Sequence, residues 1–360
     1  MAHLELGLDT FGDVTVGPDG QPLSQAQTLR NVVEEGALAD EVGVDAFGVG
    51  EHHRPDFAIS APDILLGAIA GRTRRIRLGS AVTVLSTDDP VRVYQRFSTL
   101  DAVSGGRAEI TVGRGSFTES YPLFGYDLAQ YELLFEEKLA LFAALLQGRP
   151  VTWSGRTRSA LTDQPIYPPI EHGTLRTWVA VGGSPESVVR AARNGLPLML
   201  AIIGGNPRRF TAYTDLYRRA LDQLKKEALP IGAHSPGHVA DTDEQARDDV
   251  RPHYLAMMSR IGRERGWSPM SPDHFEREAG PDGALVVGSP ETVAAKIVKT
   301  VRALGLARFD LKYSNGTLPH DKLMKSIELF GTKVMPLVRG AIVDAETPVL
   351  TQSRKAAENS

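Results

Sequence analysis

Short apolar segments alternate with helical patterns along most of the chain, and this alternation limits the fold more than any other feature. The predicted strands cover residues 3–8, 46–50, 76–82, 108–112, 177–181, 196–203, 237–240 and 308–312. Strands that alternate with helices in this way indicate a parallel α/β fold, and eight of them predict a (β/α)8 TIM barrel. A doubly wound open sheet is the second choice, but no G-x-G-x-x-G motif follows the first strand.

Two proline-containing stretches interrupt the repeat, at residues 148–174 and 266–283. We interpret them as irregular insertions at the C-terminal mouth of the barrel. Residues 1–340 are predicted to form one domain, since a barrel reaches this length as a single unit, and its last helix is expected at 321–338. Residues 341–360 are polar and unpatterned, which predicts a flexible tail.

Composition excludes several classes of protein. The 360 residues include no cysteine, so disulfides, thiolate metal sites and cysteine nucleophiles are absent. The formal net charge of -4 and the lack of long Lys/Arg runs argue against a nucleic-acid partner. Neither a signal peptide nor a membrane-spanning apolar run is recognisable, so a cytoplasmic protein without a membrane partner is expected.

The second predicted strand ends in three polar residues, Glu51, His52 and His53. Such side chains are costly at the end of an apolar strand, and α/β folds keep their chemistry at the carboxyl ends of strands. A neutral imidazole can act as an acid or base near neutral pH, which makes His52 and His53 candidate reactive residues. The alternatives are a metal site, for which no second His/Asp cluster supplies further ligands, and a structural role for His53.

The fifth predicted strand ends in Gly182, Gly183 and Ser184 at the start of a helix. Bare backbone N–H groups at a helix N-terminus suit a phosphate, but Ser-Pro-Glu also reads simply as a well-capped helix. Arg114 stands between two glycines at the end of the fourth strand, and a guanidinium suits bidentate phosphate contact. Its alternative is a salt bridge to an acid such as Glu119. Together, the two strand ends predict a phosphate site.

Several ordered motifs resemble the bacterial luciferase-like flavin monooxygenases. They are GVGEHHRPDF at 48–57, LGSAVTVLSTDDPVRVYQ at 78–95, SGGRAEITVGRGS at 104–116, GGSPESVVRAARNGLPLML at 182–200, and VGSPETVAAKI with NGTLPHDKLMKSIELFGTKVMP near the end. The resemblance runs from the first strand to the final helix. Each motif alone is weak, but their common order makes the match specific.

The resemblance implies that reduced FMN binds at the mouth of the barrel. His52 matches the catalytic histidine of the family, and Arg114 and Ser184 match its phosphate-binding residues. The turn Ser80, Ala81 and Val82 matches the one that lies against the isoalloxazine, with a non-prolyl cis bond at Ala81–Val82. Glu51, Gly182 and Gly183 complete the expected FMN-binding set, and no metal is expected. Luciferase has a cysteine where this chain has Gly113 and an acid where it has Gly183, so its aldehyde specificity is not implied.

The sequence therefore predicts an FMN-dependent monooxygenase that oxidises a small organic substrate with O2. The resemblance implies a separate flavin reductase as partner and a homodimer. A deazaflavin-dependent dehydrogenase or reductase on the same barrel, a non-catalytic flavin-binding protein and a metal-dependent hydrolase stay as alternatives. Five residues are candidates for an apolar substrate pocket, although plain packing explains such residues as well: Phe57, Phe117, Phe124, Ile203 and Tyr313.

Overall fold

Residues 4–344 of the chain are described by a computed structural model. Within them, the strands are β1 (Glu5–Thr10), β2 (Ala46–Val49), β3 (Arg77–Ser80), β4 (Thr83–Val84), β5 (Ala108–Gly113), β6 (Val151–Trp153), β7 (Leu161–Gln164), β8 (Arg176–Val181), β9 (Leu198–Ala201), β10 (Ile231–Val239), β11 (Val286–Gly288) and β12 (Arg308–Lys312). Eight of these close a parallel barrel in the order β1-β2-β3-β5-β8-β9-β10-β12, with β12 paired to β1. The predicted barrel is confirmed.

Helices follow the barrel strands and surround them, as the strand–helix repeat requires. They are α1 (Gln25–Glu41), α2 (Pro62–Ala70), α3 (Pro90–Ser104), α4 (Ser120–Leu123), α5 (Tyr131–Leu145), α6 (Pro185–Asn194), α7 (Thr211–Gln223), α8 (Asp243–Arg265), α9 (Pro272–Ala279), α10 (Pro290–Leu304), α11 (His320–Leu329) and α12 (Met335–Asp344). Among the helices within residues 4–344, none has the length and hydropathy that a membrane span requires.

Alternate residues of β12 illustrate how the barrel wall is built. Phe309 and Leu311 are fully buried in the apolar core outside the strands. Arg308, Asp310 and Lys312 instead line a cavity inside the barrel. Because successive side chains of a strand point to opposite faces, one short strand supplies both the core and the cavity.

The two predicted insertions are more regular than their proline content suggests. Residues 148–174 contain the antiparallel hairpin β6–β7, and residues 266–283 contain helix α9. Strand β11 was not predicted. Strand β10 begins at Ile231 rather than near 237, because Pro236 and two glycines hide a strand whose backbone pairs with β9 and β12 on either side.

The C-terminal helical region is also longer than predicted. After α11, a π-helical turn at Phe330–Val334 leads into α12, which continues to Asp344. Residues 341–344, which were assigned to the predicted tail, therefore belong to α12. The remainder of the predicted tail, 345–360, lies outside the described residues.

Gly237 gives a test of packing at the barrel wall. A Cβ atom at this position would overlap the carbonyl oxygen of Val286 and Cδ1 of Leu311. Gly237→Ala is therefore expected to lower the midpoint of urea denaturation, at a cost of about 1–3 kcal/mol of stability.

Gly67 in α2 is the matched control, because no neighbouring atom lies within 4 Å of its Cβ position. Replacing this helical glycine by alanine is expected to stabilise the protein by about 0.5–1 kcal/mol. If Gly237→Ala raises the midpoint as much as Gly67→Ala does, the described packing of β10 is wrong.

Candidate active site

A cavity of about 350 Å³ opens at the C-terminal mouth of the barrel. It is lined by seven of the nine predicted site residues: Glu51, His52, Ser80, Ala81, Val82, Arg114 and Gly182. Gly183 and Ser184 follow directly in the chain and do not line it. The strand ends that carry the imidazole and the guanidinium thus meet in one chamber, as the sequence analysis expected.

Glu51 ties the end of β2 to the turn after β3. Its Oε2 accepts a hydrogen bond from the backbone N–H of Val84 at 2.8 Å, and its own N–H donates to the carbonyl of Val82 at 2.9 Å. Its Oε1 lies 2.9 Å from Nε2 of His53. These bonds give Glu51 and His53 positioning roles, which supports the structural interpretation of His53.

His52 is free of this network. Phe11, Phe57 and Phe117 surround its ring at centroid distances of 4.6, 4.7 and 5.3 Å. Within residues 4–344, neither ring nitrogen has a hydrogen-bond partner, so both are available to a ligand. Burial lowers the pKa of His52 to about 3, with the charges of Lys312, Arg54 and His53 adding to the effect. The imidazole is therefore neutral at physiological pH.

The peptide bond between Ala81 and Val82 is cis, as the resemblance implied. Glycines on both neighbouring strands leave room for this turn. A Cβ on Gly48 would approach Ala81 Cβ to 3.0 Å, and one on Gly113 would approach Val82 Cγ2 to 2.9 Å. In the sequence, Gly113 stands out only because luciferase has a cysteine at this position. Its contact with Val82 shows that a side chain there would press on the turn.

Arg114 forms an ion pair with Glu132 and lies 5.1 Å from the centre of the Tyr131 ring. The alternative interpretation of Arg114, a salt bridge to an acid, therefore holds with Glu132 in place of Glu119, which pairs with Arg54. Glu132 also accepts a hydrogen bond from Arg190 at 2.8 Å. Arg114 therefore shares its acid with a second arginine and keeps donors for another anion.

Ser184 caps α6, and its Oγ accepts from the N–H of Ser187. The Ser184 hydroxyl also donates to Glu186 at 2.9 Å. Gly183 has a φ of 131°, which only glycine adopts readily, and its carbonyl accepts from the Tyr213 hydroxyl at 2.7 Å. Both the capped-helix interpretation and the anion-site interpretation fit this geometry, because Gly182 opens on the cavity.

The inner wall of the cavity carries polar residues that the sequence analysis missed. They belong to β1, β5, β10 and β12 and to the segment after β12: Asp9, Glu109, His234, Arg308, Asp310, Lys312 and Asn315. Charged residues at alternate positions of β12 were the available signal. Three of the five candidate pocket residues do line the cavity: Phe57, Phe117 and Ile203. Tyr313 instead bonds Glu35, and Phe124 packs on His53.

A metal centre finds no support in the described residues. Within 4–344, no three His, Cys, Asp or Glu side chains come close enough together to hold an ion. His53 bonds Glu51, whereas aromatic rings surround His52, so the two imidazoles do not converge on one ion. The site therefore combines aromatic rings and the neutral His52 with Arg114 and the charged residues of the inner wall.

Comparison with known proteins decides the family. The luciferase-like monooxygenase family model matches residues 10–308. The chain belongs to this family. Limonene 1,2-monooxygenase of Rhodococcus erythropolis is 27% identical to it over 80% of this chain and 77% of that protein. The family assignment makes the chain a flavin-dependent oxidoreductase of the luciferase-like type.

Solved structures agree on the luciferase-like fold. Monooxygenase RslO1 of Streptomyces bottropensis has a TM-score of 0.78 at 24% identity, covering 92% of this chain and 99% of that one. The oxygenating component of Pseudomonas putida 3,6-diketocamphane monooxygenase, solved with FMN, has a TM-score of 0.74 at 18% identity, covering 93% and 98%. An F420-dependent secondary alcohol dehydrogenase scores 0.70 at 16%, covering 93% and 99%. The fold is thus shared by proteins with two kinds of cofactor.

The protonation state of His52 is testable by NMR. In protein labelled with 15N-histidine, its ring is expected to keep the shifts of a neutral imidazole down to about pH 4, because its pKa lies near 3. In the urea-unfolded chain the same ring titrates near ~6.5. Since the unfolded state binds the proton more readily, His52 also lowers stability as the pH falls below that value. A folded-state midpoint near 6.5 would contradict the described burial.

Proposed function

We propose that the protein is a monooxygenase that uses reduced FMN and O2 to oxidise a small organic substrate. The observation that carries this proposal is that one cavity is lined by a neutral His52, the turn Ala81–Val82 and Arg114 together. Family membership and the FMN bound to a structural neighbour support it. On this proposal a separate flavin reductase supplies the reduced FMN, and the enzyme works in the cytoplasm as a homodimer.

The chemistry of the residues fits a flavin mononucleotide. Arg114 and the Gly182–Gly183–Ser184 segment would hold the phosphate, since a guanidinium and open N–H groups suit a dianion. Gly182 leaves space for it, because no atom lies within 4 Å of its Cβ position. The flat ring would lie against the Ala81–Val82 turn, where Gly48 and Gly113 keep the wall low. Glu51 would contribute by fixing this turn through its bond to Val84.

Bound FMN would supply the redox chemistry and O2 activation. The residues of this chain would bind, orient and exclude water. His52 would hold or release a proton at a ring nitrogen, since its imidazole is neutral and both ring nitrogens are without hydrogen-bond partners among the described residues. Phe11, Phe57 and Phe117 surround that imidazole and keep water away from it.

Arg114→Ala is expected to weaken binding of FMN about 10–100-fold, because a charge-assisted hydrogen bond contributes about 1.5–3 kcal/mol. Flavin fluorescence gives the affinity, and O2 consumption with a reductase gives the turnover. Arg72→Ala is the matched control, because Arg72 is exposed and precedes β3 at the opposite end of the barrel. Unchanged FMN affinity in the Arg114 variant would overturn the phosphate assignment.

The choice between FMN and the deazaflavin F420 is a separate test, because F420-dependent enzymes share this fold. A longer anionic tail needs free cations at the mouth. Arg54 pairs with Glu119, Glu264 and Asp56, and Arg260 also pairs with Asp56. Arg265 lines the cavity without a carboxylate partner among the described residues, so it adds one cation, where a longer tail would need several. FMN is therefore expected to bind at least about tenfold more tightly than F420 in parallel fluorescence titrations. Tighter binding of F420, with hydride transfer and no O2 use, would favour the dehydrogenase alternative.

A further inference from the structure

The order of strands divides the mouth of the barrel into two halves. The residues proposed to hold the flavin stand on β3, β5 and β8 and on the turns that follow them. In the closed ring these three strands lie opposite β10, β12 and β1. A second molecule that shares the cavity with the flavin would therefore meet the half formed by β10, β12 and β1.

That second half contains an imidazole–carboxylate pair. Nδ1–H of His234 donates to Oδ2 of Asp9 at 2.7 Å, and both residues line the cavity. Asp9 is 1% exposed, and its Oδ1 has no partner among the described residues. Nε2 of His234 also has no hydrogen-bond partner within residues 4–344. One buried acceptor and one imidazole nitrogen are therefore left for a ligand.

A second unpartnered acceptor lies in the same half. Asn315 is fully buried and lines the cavity after β12. Its Nδ2 donates to the carbonyl of Gly237 at 2.9 Å, which fixes the orientation of the amide. Its Oδ1 has no partner among the described residues. Because buried polar atoms are nearly always hydrogen-bonded, Asp9 and Asn315 both indicate a donor supplied from outside the chain.

The charges around His234 favour a proton on its free nitrogen, Nε2. Asp9 faces it from β1, and Asp310 and Lys312 face it from β12. Burial lowers the pKa of His234, but Asp9 and Asp310 outweigh burial and the opposing charge of Lys312, so that the pKa ends above its ordinary value. A protonated ring donates from both nitrogens, whereas a neutral ring that donates Nδ1–H to Asp9 accepts at Nε2, and a hydroxyl group can bind to either form.

A hydroxyl group matches this arrangement. Its proton can be donated to Asp9 or Asn315, and its oxygen can accept from His234. A ketone or ether oxygen has no proton for the two acceptors. A carboxylate has none either, and it would place a second negative charge beside Asp9.

The remaining surface of this half is apolar. Met257, Met258 and Ile261 line the cavity from α8, the helix that follows β10. The Phe11 ring contacts both His52 and His234, at centroid distances of 4.6 and 6.2 Å. An occupant would therefore bury an apolar body against these side chains while its polar group reaches the pair.

We propose that the substrate is a largely apolar alcohol or phenol whose hydroxyl binds between His234, Asp9 and Asn315. This inference rests on the proposed function, because the flavin would occupy the other half of the cavity. The site sets the substrate class and also orients the substrate toward the side of the cavity that carries His52. His234 and Asp9 are binding residues in this account.

Two matched probes test the proposal on the wild-type protein. 2-Naphthol carries the hydroxyl, and 2-methoxynaphthalene has the same ring system without a proton to donate. Equilibrium dialysis with FMN present is expected to show at least about tenfold tighter binding of 2-naphthol, since hydrogen bonds to charged groups are strong. Equal affinities would overturn the proposal. This is the result expected if only water donates hydrogen bonds to Oδ1 of Asp9 and Oδ1 of Asn315.

The Asp9→Asn variant tests whether Asp9 causes the preference for 2-naphthol. The amide oxygen keeps the bond from His234, so its NH2 group replaces the free acceptor with a donor. The preference for 2-naphthol is expected to fall to within about twofold. Met258→Leu is the control, because it changes the apolar wall and is expected to leave the preference intact. A preference that survives Asp9→Asn would contradict the assignment.

Affinity for FMN separates this proposal from the previous one. It is expected to be unchanged in Asp9→Asn, because β1 lies across the ring from β8, whose end would hold the phosphate, and because asparagine has nearly the size of the aspartate that packs beside Gly48. Failure of the wild-type protein to bind FMN would overturn the flavin proposal, whereas dialysis without FMN would still report the hydroxyl preference. Circular dichroism checks the folding of each variant, and the wild-type comparison requires no variant.

Discussion

The pairing of β1 with β12 is the constraint on which the rest of the structure depends. These strands come from opposite ends of the described chain, and they pair in parallel from Glu5 and Arg308 to Asp9 and Lys312. Closure forces all eight carboxyl ends to surround one chamber. Without it, the imidazole of His52 and the guanidinium of Arg114 would be separate features of an open sheet.

Closure also brings charges into the interior, where they must be paired. Arg308 lies between Asp310, at 2.8 Å, and Glu109 from the opposite wall. Burial raises the pKa of Asp310 to about 6, although Arg308 opposes the shift. The same interior lowers the pKa of His52 and raises that of His234, since His234 has a carboxylate partner and His52 has aromatic rings and cations as neighbours. Two histidines that line the same cavity thus differ in pKa because their neighbours differ.

Much of the site was predictable because its signals are local. His52, Ala81 and Arg114 each stand at the end of a strand with a readable apolar pattern, and parallel strands carry their ends to one edge. The second polar half was not predictable in this way. Asp9 and His234 are far apart in sequence, and Pro236 hides the strand that carries His234. The partner of Arg114 was likewise decided by where α5 packs, which places Glu132 rather than Glu119 beside it.

The sequence by itself determined the number and order of the eight barrel strands, the barrel they form and the residues at most strand ends, because hydrophobic periodicity and caps act over a few neighbouring residues. Only the tertiary structure decided which side chains face one another across the barrel, which acceptors stay unpaired, and that burial lowers the pKa of His52. Those properties depend on burial and on charges from distant segments, and closure of the ring alone sets these distances.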